Sequence, residues 1–180
     1  MFSSEKIDTY NDVKQYLDVS SKQKVMLLLD EIDKKPELVN AVYELAISNE
    51  HPFAWRASWA MVHLASKSPG LLKPFVARMV GDIKYLKTDR QIASFLQILT
   101  KLDFSEDEAG HLFDFAVKIL HDTTKQMYFK LYALQFLVKF VKKVPELAPE
   151  LLLTIEDEDM VSNNKYIRRQ IKGIRGKLKV

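Results

Sequence analysis

Apolar residues recur along almost the whole chain at intervals of three and four. Val25, Leu28, Leu29 and Ile32 form one stripe, and Leu38, Val42, Leu45 and Ala46 the next. Ala57, Ala60, Met61 and Leu64 follow, then Phe75, Met79, Ile83 and Leu86, then Ile92, Phe95, Leu96 and Leu99. Leu112, Phe115, Ala116 and Ile119 make a sixth stripe, Leu131, Leu134, Val138 and Val141 a seventh, and Ile167, Ile171, Ile174 and Leu178 the last. A 3.6-residue turn brings such positions onto one side of a helix. No segment sustains the apolar–polar alternation of a half-buried strand, so the pattern predicts an all-α fold.

The breaks between stripes carry their own chemistry. Pro36, Pro69 and Pro145 each follow a lysine within one to two residues. Cations suit the unpaired carbonyls at a helix end, and proline suits the first turn of the next helix. Ser105-Glu106-Asp107-Glu108 stands where a further such mark is due and reads as a capping box. Pro36 to Pro69 is 33 residues, Pro69 to Ser105 is 36, and Ser105 to Pro145 is 40. Each interval holds two stripes, and the second opens near Arg56, Arg90, Lys130 or Arg168. A two-helix period of this length predicts an α-solenoid. Pro74 and Pro149 fall four or five residues into two of the first helices, which predicts a late start or a tight opening turn there.

The sequence thereby resembles a HEAT-like repeat protein of the armadillo type. The pattern is a proline-led first helix, a short polar turn, and a second helix with an early arginine and small residues after it. Pro36-Glu37-Leu38-Val39 followed by Trp55-Arg56-Ala57-Ser58-Trp59-Ala60 shows it best. The resemblance implies one domain over 1–180, an α-α superhelix of four to five helix pairs. A degenerate pair would occupy 3–34 and repeats 36–68, 69–104, 105–144 and 145–180. It implies a concave groove for a partner and no catalytic residue. The helical periodicity is also weakly similar to the DNA alkylation repair proteins of HEAT-like fold.

Composition narrows this further. Only 5 Gly and 6 Pro among 180 residues are too few turn formers for a sandwich of short strands. The absence of Cys excludes a disulfide scaffold, a thiol nucleophile and a Cys-ligated zinc site, and fits a cytoplasmic location. No leader-like apolar stretch opens the chain and no run is long enough for a bilayer, so no membrane role is expected. The net charge of +3 is unevenly placed. Residues 160–180 hold seven basic and no acidic side chains, while the other 159 hold 20 basic and 24 acidic.

Two groups of residues are candidate partner sites. Lys165, Arg168, Lys172, Arg175 and Lys179 are spaced 3, 4, 3 and 4 apart and form one helical face. That face is either a positive ridge for an acidic partner or phosphate, or the solvated outer side of a capping helix. Arg56, Trp59, His63 and Lys67 share a second face. They form a groove anchor for a protein or a base, or pack between repeats. Lys130, Lys139, Lys142 and Lys143 interleave with aromatics from Tyr128 to Phe140, a pattern shared by nucleic-acid surfaces and by buried helices with lysine rims. Glu108 and His111 have half the spacing of a di-iron pair but no second half, so no metal is expected. No phosphate loop, nucleophile elbow or zinc motif is present, and no cofactor or catalytic residue is predicted.

The expected function is non-enzymatic: a cytoplasmic scaffold for protein–protein interaction. Its concave groove takes a protein or peptide with an acidic surface, and the chain is a monomer or weak homo-oligomer. The alternative is a nucleic-acid binder that uses the basic C-terminal helix and the groove.

Overall fold

Local sequence accounts for several helix starts. The computed structural model describes residues 4–103, 105–155 and 165–178. Among them are ten α-helices and no strand. They are α1 (Ser4–Tyr16), α2 (Lys22–Lys34), α3 (Leu38–Ile47), α4 (Phe53–Lys67), α5 (Val76–Asp82), α6 (Asp89–Leu99), α7 (Glu106–His121), α8 (Met127–Lys143), α9 (Ala148–Thr154) and α10 (Lys165–Leu178). The Ser21 hydroxyl accepts from the Lys24 N–H at 3.4 Å and starts α2. Pro74 lacks the N–H that an α-helix needs, so Pro69–Phe75 winds as a tight 3-10 turn and α5 begins only at Val76. Pro145–Leu147 makes a similar turn before α9. The capping box predicted at Ser105 needs the Glu108 side chain, which lies outside the described residues. A capping box does stand at Thr88–Gln91, opening α6.

The chain packs as two compact units, Met1–Phe104 and Ser105–Val180. In the first unit α1 packs on α2, α3 on α4, and α5 leads into α6. First helices touch first helices (α1 with α3), and second helices touch second helices (α2 with α4, α4 with α6). The four stripes from Val25 to Leu86 are buried as predicted. The buried side of α4 is made of Ala54, Ala57, Ser58, Ala60, Met61, Leu64 and Ala65. Its small residues let α3 and α6 approach closely.

Side chains that tie one helix pair to the next join residues about one repeat apart. Tyr43 donates to Asp82 at 2.7 Å, Arg78 pairs with Glu44 at 2.8 Å, and the Gln91 amide donates to the Ala46 carbonyl at 2.8 Å. Those spans are 39, 34 and 45 positions. Nearest-neighbour bonding of this kind is what a stacked repeat requires.

In the second unit α7 packs on α8, and α8 and α9 both meet α10. Phe129, Phe136 and Phe140 are buried, and Phe113 lies 5.7 Å from Phe140. Ile92, Phe115 and Leu131 differ from the predicted stripes: each sits half-buried at the edge of its helix face. Phe113 and Leu120 fill the core of α7 instead.

Candidate interaction face

The face of α4 opposite its alanine stripe carries Trp55, Trp59, Val62 and Ser66, spaced 4, 3 and 4 apart. The three larger side chains are half-buried, because α2 and α6 flank α4 without covering it. The Arg90 guanidinium, from the first turn of α6, sits over the Trp55 ring at 4.9 Å, and that of Arg56 lies at 5.5 Å. Trp59 meets His63 edge to face at 5.1 Å. Just past α6, the Lys101 ammonium donates to the Ser66 hydroxyl and, at 3.5 Å, to the Val62 carbonyl. The face therefore runs along α4 from Trp55 with Arg90 to Ser66 with Lys101, about 16 Å at 1.5 Å per residue.

Its electrostatics are positive. Burial holds the His63 imidazole below the usual histidine range, and Lys22 of α2 and Lys101 push it the same way. His63 Nε2 is buried with no hydrogen-bond partner among the described residues. Several cations of the unit are matched by carboxylates. Lys14 pairs with Glu50, Lys24 with Asp18, Lys34 with Glu31, and Arg78 with Glu44. Arg90 and Lys22 have no such partner among the described residues.

Arg56, Trp59, His63 and Lys67 do share one side of α4, but they do different things. Arg56 donates to the Leu17 carbonyl at 2.9 Å and to that of Asp18 at 2.5 Å, closing the end of α1 as a cation should. Lys67 bridges Asp30 at 2.8 Å and Asp33 at 2.9 Å on α2. Trp59 and His63 stay at the open face. Sequence reasoning did not gather Trp55, Arg90, Lys101 and Lys22 into this group. One available signal was repeat equivalence. Arg90 opens α6 as Arg56 opens α4, so stacking the two helices side by side brings it to the first turn of α4.

A family model for the HEAT repeat domain matches residues 13–177. The chain belongs to the HEAT repeat family. No curated protein and no solved structure matches it. The match is to the repeat family and not to the DNA alkylation repair proteins. HEAT repeats commonly mediate protein–protein interaction and are generally non-enzymatic scaffolds. The α4 face lies on the second-helix layer of this HEAT array.

The other candidate of this HEAT chain is α10. Lys165, Arg168, Lys172 and Arg175 are exposed, with no ion pair among the described residues, while Ile174 is buried. Lys179 lies outside the described residues. On α8 the interleaved pattern separates by side. Phe129, Phe136 and Phe140 face the core, and Lys139, Lys142 and Lys143 are exposed. No metal-binding cluster occurs among the described residues, and the Glu108 side chain is not among them. No described helix is long and apolar enough to cross a membrane. A hollow of about 360 Å³ lies between the α3–α4 turn and the start of α6, lined by Ser48, His51, Lys87, Thr88 and Gln91 among others. Its Ser48 hydroxyl donates to the Leu45 carbonyl at 2.8 Å and accepts from the Glu50 N–H at 3.1 Å. That hydroxyl caps the end of α3 and is not poised as a nucleophile.

Proposed function

We propose that this HEAT repeat protein is a non-enzymatic cytoplasmic scaffold that holds a protein or peptide partner on the second-helix face of its first unit. The observation that supports this reading is the strip of half-buried Trp55 and Trp59, with Arg90 seated on the Trp55 ring and, like Lys22, without a carboxylate partner among the described residues. Tryptophan and arginine are enriched among the few residues that carry most of the energy at protein interfaces, through large apolar contact and directed polar bonds. The test is affinity capture from the native host with wild type, Trp59→Ala and the triple change Arg168→Glu, Lys172→Glu, Arg175→Glu. Protein prey should be depleted at least about tenfold by Trp59→Ala, since a truncated hot spot costs about 2 kcal/mol or more. Prey lost only with the triple change moves the site to α10.

The exposed cations of α10 favour one second reading, nucleic-acid binding through that helix. The α4 face supports it less, because two guanidinium groups already occupy the Trp55 ring on which a base would stack. Duplex DNA binding at about 50 mM salt that collapses at about 200 mM would establish the nucleic-acid reading.

A further inference from the structure

We propose that Arg90, seated on Trp55, is the anchor that reads a carboxylate of the partner, and that the partner presents an acidic, extended peptide segment to the α4 face. This rests on the protein-binding reading given above and names the chemistry of what binds.

Three observations carry it. The first is the state of Arg90. Its side chain is exposed, it lies 4.9 Å from the Trp55 ring, and none of its N–H donors has a partner among the described residues. A guanidinium held on an aromatic surface loses less freedom when it pairs, and its planar fork matches a carboxylate bidentately. The second is charge balance. Arg78 and Lys67, also at the side of α3 or α4, are each neutralised by a carboxylate one repeat away. Arg90 and Lys22, beside the exposed side of α4, are not, so that side keeps positive charge for an acidic ligand to match. The third is spacing. Lys22 and Arg90 arrive singly, from the start of α2 and the start of α6, and Lys101, already bonded to Ser66, stands apart from both just past α6. Separate single charges suit acidic side chains distributed along a peptide. A phosphate, with two charges at one point, is better met by clustered arginines. A face of about 16 Å accommodates roughly five residues of extended chain at about 3.3 Å each. The half-buried Trp59 and Val62 between the cations offer contact for apolar residues among the acidic ones.

The test pans a random dodecapeptide phage library on the immobilised full chain. Affinities of a selected, fluorescein-labelled peptide are then measured by fluorescence polarisation. Selected sequences should be enriched in Asp and Glu. Arg90→Gln should weaken the labelled peptide about 10- to 100-fold, the range of a charge-assisted, partly desolvated pair. Among single replacements of the peptide's acidic residues by Gln, the one at the residue that meets Arg90 should weaken binding similarly, and combining it with Arg90→Gln should add little, because both remove the same contact. Arg90→Lys should recover only a small part, since an ammonium lacks the fork. Arg90 is exposed and Gln is a good helix former, so both variants keep the fold, which thermal unfolding checks. Peptides without acidic enrichment, or indifferent to Arg90→Gln, overturn the proposal. If such peptides still lose binding with Trp59→Ala, the protein-binding face stands and only the carboxylate anchor falls. If no peptide is selected, or none responds to either variant, both fall. Tighter binding of a labelled 20-base-pair duplex than of any peptide overturns both in favour of nucleic acid.

Discussion

Gln91 is the place where the stacking of the HEAT pairs can be tested most sharply. It is almost wholly buried, and its carboxamide joins two elements. Nε2 donates to the Ala46 carbonyl at 2.8 Å and the Ser48 carbonyl at 3.2 Å, at the end of α3. Oε1 accepts from the Thr88 N–H at 3.2 Å and the Thr88 hydroxyl at 2.8 Å, at the start of α6. One side chain thus serves orphan groups of two helix ends, which have no intrahelical partner. In Gln91→Leu the volume is nearly kept and both functions are lost. The Thr88 hydroxyl still caps the Gln91 backbone N–H position, so only part of the capping box goes. Two carbonyls, one N–H and the Thr88 hydroxyl then lose a partner, the Ala46 carbonyl in fully buried surroundings. At about 1–3 kcal/mol for a buried unmet group, less the gain from burying a leucine, the net cost is about 2–4 kcal/mol. For a chain of this size that lowers the melting midpoint by about 5–15 °C.

Gln91→Glu separates this reasoning from simple packing. The acceptor side is kept, but a carboxylate now faces two carbonyl oxygens. The variant should be less stable than Gln91→Leu at pH 7. Burial and the carbonyls raise the glutamate's folded pKa above its unfolded value of about 4.3, so the folded state binds the extra proton and stability recovers as pH falls toward that value. Urea unfolding followed by tryptophan fluorescence is the assay. Both tryptophans, Trp55 and Trp59, lie in the first unit and report on it directly. A Gln91→Leu variant within about 0.5 kcal/mol of wild type, or a Glu variant equal to it at pH 7, would refute the assignment.

Two further predictions concern titratable groups of the same unit. Tyr43→Phe should cost about 1–2 kcal/mol in urea unfolding, because the buried hydroxyl donates to Asp82. Burial, that hydrogen bond and the Asp82 charge raise the Tyr43 pKa from 10.0. Its stabilisation is therefore present below pH 10 and lost as pH rises above it, and the Phe variant should show a flatter alkaline limb. His63 titrates in the opposite sense. Its folded pKa is held below 6.5 by burial first, then by Lys22 and Lys101. The unfolded chain takes the proton first, so stability falls as pH drops below 6.5, and His63→Gln should lessen the difference in urea midpoint between pH 7 and pH 5.

Much of the fold was legible because it is local. The helical stripes, the proline and lysine breaks and the late start forced by Pro74 all act through residues a turn or two apart. The repeat period was legible too, since it is the spacing of those marks. The candidate face was only half legible. Helical spacing placed Arg56, Trp59, His63 and Lys67 on one side of α4, which the structure shows. It could not say that Arg56 closes α1 across 39 positions or that Lys67 bridges α2 across 37. Nor could it bring Arg90 onto Trp55. The interleaved aromatics and lysines of α8 kept two readings until packing turned the three phenylalanines inward.

By itself, then, the sequence determined an all-α chain of paired helices at a period of 33 to 40 residues, because helix formation and helix ends depend on near neighbours. Packing of one helix pair on the next settled which cations are neutralised by a carboxylate and which are not. That choice depends on the registry of one repeat against the next. A shift of one residue turns a side chain about 100° around its helix, so spacing within a repeat cannot fix which charge meets which across the stack.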